Sequence, residues 1–357
     1  MIKLFDPHIS TESNAVSDVI KSKFWASGSG INQVEKFEKS FKNYTGCKEC
    51  IAVNSGTAAL NLSLSLYDLK NKQVLVPSLT FVSTVNSIVL NGGIPIFVDI
   101  DPETLCIDIE DVQKKITKNT KAIMPVHFAG MPSDLQKLRK ISSNHNLLLF
   151  EDAAHAAGAY QKNKKIGSHS DAVCFSFHPV KNLAMPNGGA ICLNDKNAKK
   201  NKKILNSLRW CGIDNRKGFS YDVNRLGFNY YMNEISAAIG LIQLKKLDRL
   251  NNIRKRFAKY YFQNIELENK MLYSNNCVYH FYWIRVKNRF KFMKKMKQSG
   301  IETGIHYKPV HKMSLYQKNV NLPITNQIEN EIVSLPTHPN LTDNDIEKIV
   351  SCVNKFS

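Results

Sequence analysis

The sequence predicts an α/β fold with a largely parallel sheet covered by helices on both faces. Short apolar or β-branched segments alternate with longer helical patterns through the first two-thirds of the chain. These segments are too uniformly apolar to be strands with one face in water, which indicates a sheet buried on both sides. The predicted strands comprise residues 74–76, 94–98, 122–126, 147–150, 173–177 and 190–193.

Several of these predicted strands end in polar residues. In an open α/β sheet, ligands bind in the crevice beyond the carboxyl ends of the strands. We therefore expect the functional site at that edge of the sheet.

A second, smaller domain is expected after the sheet. At 357 residues the chain is longer than a common single domain. A long helical pattern begins near Glu234, and a lysine-rich part follows, with a strand signal at 280–286 and a final helix after Leu341. We predict a large domain over residues 1–240, including the N-terminal segment, and a small α+β domain over residues 241–357.

Cysteine usage and hydropathy indicate the compartment. The 8 cysteines are scattered, and the first residues lack the charged and then apolar run of a signal peptide. No stretch approaches the roughly 18 uninterrupted apolar residues of a spanning helix. We expect a cytoplasmic protein with free thiols and no membrane partner.

The formal net charge of +19 raises three classes of partner: nucleic acid, an anionic membrane and anionic small substrates. Lysine is spread along the whole chain, and the densest runs, at 199–203 and 287–297, carry few aromatic residues. We interpret the charge as solvated surface, with some steering of phosphate-bearing substrates, and expect no nucleic-acid partner.

Two segments carry the strongest chemical signal. The predicted strand at 147–150 leads into Asp152 and then into small residues, and about thirty residues later Lys181 lies in a loop between two strand signals. Taken alone, the aspartate could cap a helix and the lysine could lie on the surface. Together they match the needs of pyridoxal 5'-phosphate (PLP). An acid keeps the pyridine nitrogen protonated, and a lysine forms the Schiff base and moves the proton.

A phosphate anchor is predicted at residues 53–60, where a turn of small residues opens an apolar helix. Free amides at a helix N-terminus, together with the positive end of the helix dipole, form an anion site. As a lone pattern this signal is weak.

Taken together, these segments resemble the DegT/DnrJ/EryC1/StrS family of PLP-dependent sugar aminotransferases. The resemblance extends over nearly the whole chain. The matching segments are residues 25–28, 34–41, 54–60, 77–81, 97–99, 125–130, 151–159, 175–181, 188–189, 227–230 and 304–309. It implies the fold-type-I architecture, with a seven-stranded-type sheet between helices and a smaller α+β C-terminal domain.

The resemblance also implies roles for individual residues. Lys181 is similar to the Schiff-base lysine, Asp152 to the partner of the pyridine nitrogen, and His155, where many relatives have Gln, to the group beside the ring hydroxyl. Phe81 resembles the aromatic residue that stacks on the ring. The resemblance implies further contacts with the phosphate by Gly56, Thr57, Ala58, Ser176 and Asn229, and with the sugar nucleotide by His306 and Tyr307. Asn229 reaches in from the neighbouring subunit in such enzymes, which implies a homodimer with a shared site.

Four residues depart from the family pattern. Tyr231 stands where relatives commonly have Arg, Trp210 and Cys211 replace the commoner residue-His pair, and Asn187 replaces a Glu. A phenol cannot copy the bidentate anion contact of a guanidinium, so the anionic groups of the substrate are expected to be held differently.

Metal binding is not expected. Cys47 and Cys50 have the spacing of a zinc half-site, but no second pair follows at a suitable distance. His306 and His311 lie five residues apart with no accompanying acid.

The resemblance predicts a ping-pong transamination from an amino acid, L-glutamate by analogy, to a nucleotide-linked keto-sugar. Sugar dehydration is disfavoured because relatives that dehydrate carry His at the position of Lys181. A 3-keto sugar or a cyclitol remains an alternative acceptor, although His155 and residues 125–130 favour the 4-keto branch. A non-catalytic regulatory protein is the alternative from another class, but no helix-turn-helix is evident.

Overall fold

The computed structural model describes residues 1–26, 32–317 and 319–357. Ser27 and Gly28, part of the family-like segment at 25–28, lie outside the described residues. The α-helices are α1 (Glu12–Ser22), α2 (Gln33–Thr45), α3 (Gly56–Leu64), α4 (Val82–Leu90), α5 (Ile109–Lys115), α6 (Leu135–Asn144), α7 (Ala198–Leu208), α8 (Glu234–Asn264), α9 (Arg289–Gln298), α10 (Pro323–Glu331) and α11 (Asp343–Phe356). Short 3₁₀ helices span Phe128–Gly130, Val310–Lys312 and Ser314–Tyr316.

The strands are β1 (Glu49–Val53), β2 (Gln73–Pro77), β3 (Ile94–Val98), β4 (Thr120–Ile123), β5 (Leu148–Asp152), β6 (Tyr160–Gln161), β7 (Lys164–Lys165), β8 (Ala172–Ser176), β9 (Gly189–Leu193), β10 (Ile213–Lys217), β11 (Ser220–Val223), β12 (Tyr282–Arg285) and β13 (Ile332–Leu335). Seven of them form one sheet in the order β1-β9-β8-β5-β4-β2-β3. Only β9 in this sheet runs antiparallel to its neighbours, so the predicted mostly parallel sheet is confirmed.

The antiparallel direction of β9 is explained by a connection that lacks a helix. Parallel neighbours need a crossover of a dozen or more residues, usually with a helix. The segment between Ser176 and Gly189 contains no helix, so the chain turns back beside β8. This segment holds Lys181.

Helices cover both faces of the sheet. Alternate residues of β1 show the two-sided burial, because Cys50 and Ala52 belong to one apolar cluster and Ile51 and Val53 to the other. Helices α2 and α8 pack into the first cluster, and α3 and α4 into the second. Burial on both faces accounts for the uniformly apolar strands of the sequence.

A third cluster contains the two-stranded sheet β12–β13 and parts of α9, α10 and α11. The predicted strand at 280–286, the helix from Glu234 and the final helix are all present. Helix α8 is continuous from the first cluster, at Leu247, to the third, at Tyr261. The predicted division between residues 240 and 241 falls within this helix and stays a prediction. None of the described helices is both long and apolar enough to cross a membrane.

Candidate active site

Lys181 and Asp152 lie at the carboxyl ends of two adjacent parallel strands. Asp152 is the last residue of β5, and Lys181 follows the end of β8 by a tight turn in which its amide donates to the carbonyl of His178 at 2.8 Å. The charges of the two side chains influence each other's pKa. The structure therefore brings together the acid and the lysine that the sequence singled out.

The Asp152 carboxylate is held by two donors. Thr84 donates its hydroxyl to Oδ2 at 2.7 Å, and the amide of Ala154 donates to Oδ1 at 3.1 Å. Burial raises the pKa of Asp152, and these hydrogen bonds together with the charge of Lys181 oppose that rise. Sequence reasoning missed Thr84. The available signal was its position one turn into the helix that follows Phe81.

The amine of Lys181 has a lowered pKa. Burial lowers the pKa of its amine to about 8, while the charge of Asp152 opposes the decrease. A neutral amine attacks a carbonyl carbon, whereas an ammonium does not, so this shift increases the reactive fraction at neutral pH.

The start of α3 packs directly against the end of β8. Ser55 caps the helix by accepting the Ala58 amide at 3.1 Å, and the first backbone bond, from the Ala59 amide to the Ser55 carbonyl, comes after Gly56 and Thr57. A Cβ added to Gly56 would lie 2.7 Å from the Cβ of Ser176. Glycine is therefore required for this close approach, which places the hydroxyl of Ser176 beside the first turn of α3.

His155 and Tyr307 form a pair across the site. The Tyr307 hydroxyl and Nε2 of His155 are 3.0 Å apart. Nδ1 of His155 is buried and has no hydrogen-bond partner among the described residues. Burial lowers the pKa of His155 well below its ordinary value, and the charge of Lys181 acts in the same direction.

Two further histidines lie near this pair. The His280 ring centroid is 4.5 Å from that of His155, and Nδ1 of His306 is 2.8 Å from the hydroxyl of Ser334. Burial lowers the pKa of His306 to about 3, with the charge of Lys181 as a second cause. His280 was not singled out from the sequence, because a histidine in an apolar strand signal carries no separate mark of a site.

Phe81 and Asn229 are exposed. Phe81 stands at the N-terminal end of α4, remains 55% exposed, and has its ring centroid 5.9 Å from that of Tyr307. The Asn229 carbonyl accepts from Nδ2 of Asn54 at 3.2 Å, just before the start of α3. The structure thus places the backbone of Asn229 beside the predicted phosphate anchors of its own chain.

The cysteines and histidines considered as metal ligands are buried or hydrogen-bonded to other protein groups. Cys47 and Cys50 are buried in the core beside Cys192. His311 interacts with Ser78 at 2.6 Å, so it does not share a partner with His306. Within the described part of the chain, no group of three or more His, Cys, Asp or Glu could hold a metal ion.

The site fits PLP on three structural observations. It holds a buried carboxylate for a ring nitrogen and a lysine with a lowered pKa for an aldehyde. For a phosphate it holds a crowded turn in which the amides of Gly56 and Thr57 have no hydrogen-bond partner among the described residues. The unpartnered Nδ1 of His155 is a fourth polar group without a partner in the described protein. These groups meet at the edge of the sheet where the sequence places a ligand.

Comparison with known proteins gives matches over almost the whole chain. The model of the DegT/DnrJ/EryC1/StrS aminotransferase family matches residues 8–354. The uncharacterised protein MJ1066 of Methanocaldococcus jannaschii is 35% identical over 375 residues, which cover 99% of this chain and 96% of that protein.

Solved structures share the fold. Helicobacter pylori PseC, an aminotransferase involved in the biosynthesis of pseudoaminic acid, has a TM-score of 0.92 at 28% identity, covering 99% of this chain and 98% of its own. DesV of S. venezuelae, solved in complex with a ketimine intermediate, has a TM-score of 0.89 at 29% identity, and the match covers 96% of this chain and 93% of DesV. The expected fold-type-I architecture is confirmed.

Proposed function

Because the chain belongs to the DegT/DnrJ/EryC1/StrS aminotransferase family, whose cofactor is PLP, we propose that it moves an amino group from L-glutamate to a nucleotide-linked keto-sugar. The acceptor is an NDP-4-keto-6-deoxy sugar, and the product serves the biosynthesis of a surface glycan in the cytoplasm. The observation that carries the proposal is the coupled pair of Lys181 and Asp152 at the carboxyl edge of the sheet.

Asp152 and Lys181 would have different roles in the reaction. When bound, PLP supplies a ring that accepts electron density when the substrate carbon bonded to the transferred amino nitrogen loses a proton. Asp152, fixed by Thr84 and the Ala154 amide, would balance the positive charge of the ring nitrogen. The Lys181 amine would link to the cofactor and, once released, would carry the proton in both half-reactions.

The first turn of α3 and Ser176 would hold the phosphate. The amides of Gly56, Thr57 and Ala58 lie at the positive end of the helix dipole, and the Ser176 hydroxyl is packed against them. Phe81, a large exposed aromatic residue at the site, would cover one face of the cofactor ring.

The acceptor would approach near His306 and Tyr307. Both residues belong to the loop that precedes the 3₁₀ helix Val310–Lys312, and both lie close enough to Lys181 or Asp152 for those charges to affect their pKa. The net charge of +19 favours encounter with an anionic nucleotide sugar. The similarity to PseC, an aminotransferase involved in the biosynthesis of pseudoaminic acid, supports a sugar acceptor by analogy.

We further propose a homodimer in which Asn229 of each subunit completes the phosphate site of the other. Support comes from the exposed apolar surface around β10 and β11. Phe219, Leu226 and Phe228 are 103%, 95% and 42% exposed. Large apolar side chains exposed close together in the chain are typical of an interaction surface. A second copy of the chain would cover this surface.

The test is a two-step assay with purified protein, PLP, L-glutamate and a panel of keto-sugars. We expect the absorbance of the lysine-linked cofactor to shift to that of the amine form with glutamate and to return with a 4-keto nucleotide sugar. Return with only a 3-keto sugar or a cyclitol would reassign the acceptor.

The control is Lys181→Arg, which keeps the positive charge but cannot form the cofactor link. Turnover retained in that variant would contradict the assignment of Lys181. Absence of any glutamate response in the wild type, with salt-sensitive DNA binding instead, would favour a regulatory protein.

A further inference from the structure

The hydrogen bond between Tyr307 and His155 indicates that Tyr307 acts on His155 as well as lying near the proposed substrate site. The two side chains come from positions 152 residues apart and meet at 3.0 Å through the phenol oxygen and Nε2. The rings lie nearly parallel, with an interplanar angle of 24° and centroids 6.0 Å apart. No other side chain among the described residues hydrogen-bonds to the His155 imidazole.

The direction of this hydrogen bond can be worked out from the protonation states. Burial lowers the pKa of His155 well below neutrality and raises that of Tyr307, so the imidazole is neutral and the phenol keeps its proton. A neutral imidazole has one N–H and one acceptor nitrogen. The phenol has no other partner among the described residues, so its proton has one acceptor available, Nε2 of His155.

If Tyr307 donates to Nε2, the imidazole proton must sit on Nδ1. Nδ1 is the buried atom that has no partner within the described protein. In the opposite arrangement, the phenol proton would be left without an acceptor and Nδ1 would present only a lone pair. That arrangement suits no anionic oxygen, because two lone pairs would face each other.

We infer that Tyr307 is a positioning residue that fixes His155 in the Nδ1–H tautomer, so that His155 presents a hydrogen-bond donor to the ring oxygen of the cofactor. The inference rests on the proposed function, in which His155 lies beside the ring hydroxyl. It assigns to Tyr307 an action through His155 rather than a contact with the sugar.

The other titratable groups around His155 do not compete for this role. Those whose charge acts on His155 are Lys181, His306 and His127. His306 is engaged with Ser334, and His127 with Glu151 at 2.7 Å. His280 contacts the imidazole ring, but burial keeps its own pKa well below the ordinary value, so it is neutral.

A donor at the ring oxygen has a measurable consequence. It withdraws electron density from that oxygen, which weakens the hold of the lysine-linked nitrogen on its proton. Losing the donor should therefore raise the pH midpoint of the absorbance of the cofactor-loaded protein. For one hydrogen bond of ordinary strength, we expect a rise of roughly 0.5 to 1 pH unit, or about three- to tenfold in the proton-binding constant.

The first experiment uses the cofactor-free protein. Nitrogen NMR of protein labelled with ¹⁵N-histidine distinguishes a protonated from an unprotonated ring nitrogen, and the His155→Gln variant identifies the His155 signals. We expect Nδ1 to carry the proton in the wild type and this preference to be lost in Tyr307→Phe. A proton on Nε2 in the wild type would overturn the inference.

The second experiment measures the absorbance midpoint of the loaded protein in four variants: wild type, Tyr307→Phe, His155→Gln and the double variant. The Gln amide donates without tautomers, so Tyr307→Phe should shift the midpoint with His155 present and leave it unchanged with Gln. Equal shifts in both backgrounds, or none in either, would reduce Tyr307 to a packing role.

Tyr282→Phe is the matched control, since it deletes a buried hydroxyl bonded to the Met271 carbonyl at 2.6 Å. It should leave both readouts unchanged, and a shift as large as that of Tyr307→Phe would overturn the inference. Failure of the wild type to form the lysine-linked cofactor would count against the proposed function and leave the tautomer result standing on its own.

Discussion

Lys181 should titrate in the cofactor-free protein near pH 8, where the structure puts its pKa through burial, with Asp152 opposing the decrease. Replacing Asp152 by Asn removes the opposing charge. The midpoint should therefore move below that of the wild type, although the variant binds cofactor less tightly. The direction of this shift in the Lys181 midpoint is informative, because deleting a carboxylate beside an exposed lysine would change the pKa of that lysine little.

The size of the effect follows from the two pKa values. At pH 7, a pKa of about 8 leaves roughly a tenth of the amine neutral, whereas the ordinary 10.5 leaves about 0.03%. The reactive fraction at neutral pH is thus about 300 times larger than for an unperturbed lysine. A further decrease of one unit in Asp152→Asn would raise the neutral fraction to about half.

The assay is competitive acetylation of the cofactor-free protein between pH 6 and 11, with the Lys181 peptide quantified by mass spectrometry against a free amine standard. Bound cofactor should protect Lys181, which confirms that the signal comes from the site. A midpoint at or above 10 in the wild type would refute the argument from burial. An unchanged or higher midpoint in Asp152→Asn would refute the coupling between the two residues.

Three further predictions concern binding and stability. Gly56→Ala, which forces a methyl group into the end of β8, should weaken PLP affinity about tenfold or more by spectroscopic titration. Gly46→Ala, which strains a left-handed backbone position (φ +72°) at the end of α2 without a steric clash, should leave that affinity unchanged. Thr84→Val removes a donor from the buried Asp152 carboxylate and should weaken PLP affinity by roughly 10- to 100-fold in the same titration, with little change in fold by circular dichroism. Lys181→Met should stabilise the cofactor-free protein at pH 7 by up to about 3 kcal/mol in urea unfolding. The unfolded chain holds more protons than the folded one between pH 8 and 10.5, so the gain should shrink as pH rises through that window. Equal stabilisation at pH 7 and pH 10.5 would contradict the assignment of the shift to Lys181.

Much of the sheet could be predicted because its strands are buried on both faces. Uniform apolar segments such as β8 and β9 leave little ambiguity about secondary structure. Strand β1 is absent from the predicted strands; it begins within the apparent zinc half-site and includes Cys50. The direction of the strands was harder still to predict, because the reversal of β9 goes with the absence of a helix from the loop that holds Lys181.

The local parts of the site were also predictable. Asp152 at a strand end and Gly56 at a helix start are fixed by their neighbours in sequence, so short motifs are enough to find them. Contacts between distant segments are not marked by any short sequence motif. The donor from Thr84 to Asp152 spans 68 residues, and the bond between Tyr307 and His155 joins the sheet edge to the C-terminal part.

At the sheet edge, burial opposes the ionised forms of Asp152 and Lys181, raising the pKa of the first and lowering that of the second. Burial also leaves Nδ1 of His155 without a hydrogen-bond partner among the described residues. Each feature destabilises the folded protein without cofactor. PLP offers a complementary group to each: a protonated ring nitrogen, an aldehyde and a ring oxygen. Cofactor binding should therefore stabilise the folded protein by mass action, and the relief of these costs at one edge of the sheet should contribute to the affinity. The same side chains that make the empty site costly are the ones that make it reactive.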